Sequence, residues 1–220
     1  MSKSVKTYFN RTAAEFDSLY SDKRNKIFQI IDRLLRSDIY KRFALTFLEC
    51  QPVEGSSILD VGCGSGRYAV EFARRGADEV VGIEFAKSMI ELAVFLAGDM
   101  GVKEKCEFIQ GDFLQMQLDR LFDYSLALGV FDYTENAETF LQKMKSLTKQ
   151  KIIASFPRNT FLRSSQRRIR YRIMGCPVYF YGKEDVKRIL MAAGLTKFRI
   201  TELQGDYFVI VPMDDSKGMQ

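Results

Sequence analysis

The sequence contains no histidine among its 220 residues, and its four cysteines include no C-x-x-C pair. Most zinc sites in proteins are built from these two residue types, so we expect no metal site in this chain. No apolar run approaches the roughly 20 residues of a membrane-spanning helix, and the first residues lack the apolar stretch of a signal peptide. Together these absences predict a reduced, cytoplasmic protein without a membrane span.

The chain does contain enough apolar residues for a sizeable core. It is 46% hydrophobic, and its 33 basic and 28 acidic residues give a net charge of +5. A chain of this length and composition is expected to form one main domain, which we place at residues 51–220. Apolar and aromatic residues recur at helical spacing in residues 1–50, which predicts a helical segment ahead of that domain.

The chain is organised around a glycine-rich stretch at residues 58–67. The sequence ILDVGCGSGR places a short apolar strand directly before Gly62, Gly64 and Gly66. Glycine has no Cβ atom, so the backbone can adopt positive φ and a ligand can lie directly on it. Asp60, near the end of the strand, is placed to fix this loop or to accept a hydrogen bond from a cationic group.

Strands and helices alternate along the rest of the chain. The predicted strands lie at residues 57–61, 79–84, 106–110, 122–128, 151–156, 198–203 and 207–211, and the predicted helices between them at 67–75, 87–96, 135–148 and 183–193. This order predicts an α/β fold with an open, mostly parallel seven-stranded sheet, helices on both faces and an antiparallel last strand. Ligands of such sheets bind at the carboxyl ends of the strands.

The glycine loop fits neither of two common nucleotide-binding patterns. A dinucleotide site uses G-x-G-x-x-G and a P-loop ends in Gly-Lys-Ser/Thr, whereas the glycines here follow G-x-G-x-G. Together with Glu84 at the end of the second strand and Gly111-Asp112-Phe113 after the third, the loop resembles the class I S-adenosylmethionine-dependent methyltransferases, of the small-molecule O-methyltransferase type. The resemblance covers about residues 55–212.

This resemblance implies that S-adenosylmethionine is the cofactor and that its methionine portion lies on the glycine loop. It also implies that Glu84 binds both ribose hydroxyls, that Asp112 accepts from the adenine amino group and that Phe113 flanks the ring. A carboxylate suits a vicinal diol because it is a bidentate acceptor. The cofactor-binding residues predicted for the main domain are Asp60, Gly62, Cys63, Gly64, Gly66, Glu84, Phe85, Asp112, Phe113 and Gly129.

The stretch from Tyr8 to Tyr20 resembles the lid of small-molecule O-methyltransferases, including the magnesium-protoporphyrin and ubiquinone-pathway kinds. Aromatic lid residues close over the cofactor in those relatives, so Tyr8 and Tyr20 join the predicted cofactor site and residues 1–50 are predicted to be a helical lid. The chain departs from the porphyrin enzymes in its lack of histidine and in its arginine-rich insertion, so their substrate is not transferred to it.

Methyl transfer to an alcohol or phenol requires that the acceptor lose a proton. Histidine, the usual base, is absent, and Asp132 and Tyr133 follow the fourth strand, where family members approach the methyl group. We therefore predict Asp132 and Tyr133 as catalytic residues, with Asp132 as the base. The alternative is that Asp132 only caps the next helix.

A long insertion at about residues 157–182 carries six arginines between Arg158 and Arg172. Arginine binds carboxylates and phosphates through paired hydrogen bonds, which favours a small, anionic acceptor. A solvated basic helix face is the alternative. The predicted acceptor-binding residues are Arg167, Arg168, Arg170, Tyr179 and Tyr181.

The predicted function is therefore transfer of a methyl group from S-adenosylmethionine to a small, anionic acceptor, at oxygen. Two alternatives stay open: an RNA or protein methyltransferase that uses the basic segment 158–172, and a non-catalytic cofactor-binding module. Nucleic acid is not the expected partner, because the net charge is small and no nucleic-acid-binding module is recognised. The sequence predicts no oligomeric state.

Overall fold

The computed structural model describes residues 37–159 and 178–213. The helices among them are α1 (Ser37–Glu49), α2 (Arg67–Arg74), α3 (Lys87–Asp99), α4 (Ala137–Leu147) and α5 (Lys183–Ala192), with a short 3-10 helix at Lys103–Lys105. The strands are β1 (Ser57–Val61), β2 (Glu79–Glu84), β3 (Cys106–Gln110), β4 (Phe122–Ala127), β5 (Thr148–Pro157), β6 (Arg199–Glu202) and β7 (Asp206–Pro212).

The seven strands form one open sheet in the order β3-β2-β1-β4-β5-β7-β6. Strands β1 to β5 pair in parallel, while β7 is inserted between β5 and β6 and pairs antiparallel with both. The predicted fold class is confirmed. Strand β5 begins at Thr148 rather than at the predicted Lys151, because it starts directly after α4 and pairs there with the first residue of β4.

Side chains alternate between two apolar layers along the sheet. In β1, Leu59 and Val61 face the layer that contains the buried residues of α4 and α5, while Ile58 faces the layer that contains those of α1 and α2. Strands whose two faces are both covered carry apolar side chains on both, which explains the adjacent apolar pairs Ile58-Leu59 in β1 and Val80-Val81 in β2. Among residues 37–159 and 178–213, no helix combines the length and the apolar character that crossing a bilayer requires.

Helix α1 packs into this core although it belongs to the predicted lid. The ring of Phe47 lies 4.4 Å from that of Phe72 in α2, and Arg42 forms a 2.9 Å ion pair with Asp206 of β7. Helix α1 therefore packs with the main domain, although it lies before the predicted domain boundary at residue 50. Residues 1–36, the rest of the predicted lid, lie outside the described residues.

Candidate active site

A cleft of about 290 Å³, part of which is open to solvent, lies at the carboxyl ends of the parallel strands. Its position agrees with the general rule for open α/β sheets. It brings together residues from the ends of β1, β2, β3 and β4. The lining residues are Val61, Gly62, Ile83, Glu84, Phe85, Gly111, Asp112, Phe113, Val130 and Phe140.

The glycine turn forms one wall of this cleft, and its backbone has the predicted positive φ. The N–H groups of Gly62 and Cys63 donate to the carbonyl of Ile83 at 2.7 and 3.1 Å, so the turn is tied to β2. A Cβ atom on Gly62 would lie 2.4 Å from Val130, whereas one on Gly64 would meet nothing within 4 Å. Gly64, at φ 54°, thus leaves an open cradle above the backbone.

Glu84 lies between the glycine turn and the start of α3, and it is only 6% exposed. Its carboxylate accepts from the N–H of Gly64 at 3.3 Å and from that of Ala86 at 2.9 Å. Burial raises the pKa of Glu84, and these backbone donors oppose that rise. A carboxylate offers about four acceptor positions, so two backbone bonds leave capacity for a ligand.

Asp60 is a buried acidic group next to the same turn. It is 2% exposed, and within the described part of the chain its Oδ2 atom has no hydrogen-bond partner. Burial raises its pKa to about 7, with a further contribution from Glu84, while an N–H from Ala69 opposes the rise. A buried acceptor that lacks a donor is costly, and a cationic ligand group would satisfy it.

The segment after β3 forms another part of the cleft wall. Asp112 accepts from the N–H of Leu114 at 3.1 Å through Oδ1, which fixes the turn that follows Gly111. Phe113 is buried, and its ring packs 4.8 Å from that of Phe140 in α4. Asp112 and Phe113 therefore line the same cleft as Gly62 of the glycine turn.

The loop after β4 carries the predicted catalytic residues, and both are buried: Asp132 is 4% exposed and Tyr133 8%. The N–H of Tyr179 donates to the backbone carbonyl of Asp132 at 2.9 Å, so the end of the insertion contacts this loop. The alternative in which Asp132 caps α4 is wrong, because Asn136 is the N-cap and its side chain accepts from Thr139 N–H at 3.1 Å.

Tyr181 lies in the core, 9% exposed, rather than on an open surface. Its ring packs edge-on at 5.2 Å from Phe156, and its hydroxyl donates to the carbonyl of Phe131 at 3.3 Å. Burial raises its pKa, and the charge of Asp132 adds to that rise. Its predicted part in acceptor binding stays a prediction. Most of the surface of its ring is already buried by packing against the core.

Arg158, the first arginine of the insertion, is engaged with the sheet edge. It donates to the carbonyl of Leu203 at 2.6 Å, pairs with Glu202 at 3.1 Å and lies 5.2 Å over the ring of Tyr207. Its contacts are therefore structural. Five predicted site residues lie outside the described residues: Tyr8, Tyr20, Arg167, Arg168 and Arg170.

Two residues that support the site, Ser155 and Arg42, were not predicted from the sequence. The predicted Gly129, at φ 80°, donates from its N–H to Ser155 Oγ at 2.9 Å, and Ser155 Oγ also accepts from Arg42 at 3.1 Å. Ser155 is hidden in a buried strand and Arg42 in a helix, and no local motif marks either. Asn136 was detectable, since an asparagine just before a helical pattern is a common N-cap.

The family model of the methyltransferase domain matches residues 52–194. The mitochondrial ubiquinone biosynthesis O-methyltransferase of Dictyostelium discoideum is 30% identical over 122 residues, which cover 50% of this chain and 38% of that protein. EEF1A lysine methyltransferase 2 of Danio rerio is 32% identical over 90 residues, covering 40% of this chain and 38% of that protein. The chain thus matches 38% of the length of either relative.

The fold has a solved counterpart in the crystal structure of magnesium protoporphyrin IX methyltransferase from Synechocystis PCC 6803 with bound SAH. The two superpose with a TM-score of 0.75 at 21% identity, over 96% of this chain and 98% of that one. The family and the fold support S-adenosylmethionine as the cofactor, as predicted. The predicted class I S-adenosylmethionine-dependent type is confirmed. The family model matches well over half of the length of this chain, so the chain belongs to the methyltransferase domain family.

Proposed function

We propose that this protein transfers the methyl group of S-adenosylmethionine to the oxygen of a small, anionic acceptor. The observation that carries the proposal is the arrangement of Asp60, Gly64 and Glu84 around one turn. A buried carboxyl oxygen without a donor, an open glycine cradle and a second buried carboxylate are the groups that the ammonium, the methionine chain and the ribose diol of the cofactor require.

The residues present therefore fit the cofactor. Glu84 would hold the ribose while it keeps the glycine turn in place through Gly64 N–H. Asp60 would face the cationic methionine end. Asp112 and Phe113, which line the same cleft, would take the adenine. When bound, S-adenosylmethionine supplies an electrophilic methyl group on a positively charged sulfur.

The chain's own contribution to the reaction is alignment and proton removal. A buried cleft that positions donor and acceptor and excludes water supplies much of the rate of a displacement reaction. Asp132 lies in the buried loop after β4, and we assign it the acceptor proton. A phenol needs this step, whereas a carboxylate acceptor is already ionised at neutral pH.

The acceptor class rests on the insertion and on the relatives. Arg167, Arg168 and Arg170 provide a concentration of positive charge suited to an anionic group, and the Dictyostelium relative is an O-methyltransferase of ubiquinone biosynthesis. Replacing the three arginines together by alanine is expected to raise the acceptor KM and to leave the cofactor Kd unchanged. An unchanged KM would remove the arginines from the proposal.

The function is tested in two steps. Calorimetric titration measures binding of S-adenosylmethionine and S-adenosylhomocysteine, and heat with NAD alone would refute the cofactor site. Incubation with methyl-labelled cofactor and a cell extract, followed by separation into small molecules, protein and RNA, then identifies the acceptor. Label in the small-molecule fraction supports the proposal.

A protein methyltransferase is the second candidate, because EEF1A lysine methyltransferase 2 of Danio rerio is as similar over its matched segment as the ubiquinone relative. Label that enters only the protein fraction would favour it. Label in RNA, with binding that weakens strongly as salt is raised, would favour the RNA alternative. Cofactor binding without label in any fraction would indicate a non-catalytic module.

A further inference from the structure

Lys143 lies on α4, one turn after Phe140. Its ammonium group binds the segment after β3, which forms part of the cleft wall, on the side that does not line the cleft. Nζ donates to the backbone carbonyls of both Phe113 and Met116. It also lies 4.8 Å from the centroid of the Phe113 ring. One cation therefore holds two carbonyls and one aromatic ring of the segment that follows β3.

This segment contains no helix or strand from residue 113 to residue 121. Hydrogen bonds to Asp112 hold its first turn, the side chains of Leu114, Met116 and Leu118 pack against the core, and Arg120 pairs with Glu79 and Glu107 near its end. Lys143 adds hydrogen bonds to two of its backbone carbonyls. Hydrogen bonds from a charged donor are stronger than those between neutral groups. Asp112 belongs to the same turn, because its backbone carbonyl accepts from the N–H groups of Gln115 and Met116. Burial lowers the pKa of Lys143, and the charge of Asp112 opposes that shift.

We propose that Lys143 is a positioning residue of the adenine subsite, acting through Phe113 and Asp112. This inference rests on the proposed function, because it assumes that the cleft holds an adenine nucleoside. Lys143 is not among the residues that line the cleft. Its effect on the ligand would therefore be indirect: it sets where the Phe113 ring and the Asp112 carboxylate stand before the ligand arrives.

Lys145 offers a matched control on the same helix. Its Nζ donates to the carbonyl of Gly194 at 2.7 Å, so it too ties α4 to a neighbouring turn, but it does so away from the cleft. Lys143→Met and Lys145→Met remove the same group from the same helix. If both lysines were merely structural, the two variants would show the same ligand affinity.

The experiment measures calorimetric Kd values of wild type and both variants for two ligands, S-adenosylhomocysteine and its inosine analogue, in which oxygen replaces the adenine amino group. Lys143→Met is expected to weaken S-adenosylhomocysteine binding on the order of tenfold, from the loss of charge-assisted bonds. It should also reduce the preference for the adenine ligand over the inosine analogue. Lys145→Met should keep wild-type values for both, and Lys143→Arg should regain part of the preference.

Two results would overturn the inference. One is wild-type affinity for S-adenosylhomocysteine in Lys143→Met. The other is loss of affinity for both ligands by the same factor, which would indicate a general weakening of the fold. Thermal unfolding of each variant identifies a variant that fails to fold, and Lys143→Gln then replaces Lys143→Met. Failure of the wild-type protein to bind either ligand would contradict the proposed function instead.

Discussion

The two halves of the cleft are built in different ways. The cofactor half, at the ends of β1 to β3, is held by backbone groups and carboxylates of successive strand–helix units, such as Gly62 N–H on Ile83 and Glu84 on Ala86. The acceptor half, after β4, is held by side chains from distant elements. Ser155 holds Gly129 there, and Arg42 connects Ser155 to Asp206.

This difference has a physical consequence for each half. Contacts between successive strand–helix units depend on the local geometry of glycine and of the parallel ladder, so a short motif specifies them. Contacts such as the Arg42 pair join residues 164 positions apart and exist only once the sheet and α1 have packed. We therefore expect substitutions within a single strand–helix unit to impair the cofactor half. Removal of the supporting side chains on distant elements should impair the acceptor half.

The largest expected effect is in the acceptor half. Asp132→Asn should lower kcat with a phenolic acceptor by about 10² to 10⁴, the usual range for loss of a general base. The Kd of S-adenosylhomocysteine should not change, since Asp132 does not line the cofactor cleft. Steady-state kinetics and calorimetry measure the two quantities.

Asn136→Ala is the control for that experiment. It removes the cap of α4 and should cost about 1 kcal/mol of stability, while kcat stays close to wild type. If Asp132→Asn keeps full activity with a phenol, the proton is removed elsewhere. If kcat falls equally with a carboxylate acceptor, which needs no base, Asp132 acts on the structure of the loop.

Next in size is the effect of a methyl group on Gly62, where the glycine turn meets the loop after β4. Gly62→Ala would place a Cβ 2.4 Å from Val130 at a φ of 72°, and should reduce the free energy of unfolding by about 2 to 5 kcal/mol. Gly64→Ala has the same backbone strain and no clash, so it should cost about 1 to 2 kcal/mol and weaken cofactor binding. Urea unfolding with calorimetry distinguishes the two variants. Equal stabilities would contradict the close contact with Val130.

The same contrast explains what the sequence could predict. The positive φ of the glycine turn and the position of Glu84 at the end of β2 could be predicted because both depend on order and spacing along the chain. The open sheet with its antiparallel last strand followed from the alternation of apolar runs and helical spacing. Asp132 was placed after β4 correctly, but only the structure removed its capping role by placing Asn136 there.

The supporting contacts could not be predicted in the same way. Lys143 looks like any lysine of an amphipathic helix, and its partners lie 27 and 30 residues earlier. Tyr181 was predicted to supply flat contact for an acceptor ring, which stays a prediction, and the sequence did not indicate that its own ring packs on Phe156 while its hydroxyl donates to the Phe131 carbonyl. Sequence pattern alone does not specify which side chains meet once the layers pack.

A smaller effect is expected at Glu84. Glu84→Gln keeps one oxygen that can accept from Ala86 N–H but removes the charge, so S-adenosylhomocysteine should bind about 10-fold more weakly. The fold should stay intact by thermal unfolding. Glu91→Gln, on the exposed face of α3, alters only an ion pair with Lys87 and serves as the control. Wild-type affinity in Glu84→Gln would mean that the ribose lies elsewhere.

The last effect we predict is a pH dependence that arises from Asp60. Burial raises its pKa to about 7, so the folded chain retains a proton that the unfolded chain releases near the ordinary value of 3.8. The stability from this group is therefore complete below pH 4 and is lost as the pH rises through about 7. Glu84, whose pKa is also raised, contributes in the same direction.

Cofactor affinity should follow the opposite trend. An ammonium group next to Asp60 favours the ionised carboxylate, so at pH 6 the bound proton must leave and S-adenosylhomocysteine should bind about tenfold more weakly than at pH 8. The Cys63 thiol, whose pKa is raised well above its ordinary value, stays neutral over this range. Asp60→Asn should remove most of both dependences, leaving the part due to Glu84. Calorimetry at pH 6, 7 and 8 makes the measurement, and a wild-type Kd that does not change with pH would place the ammonium away from Asp60.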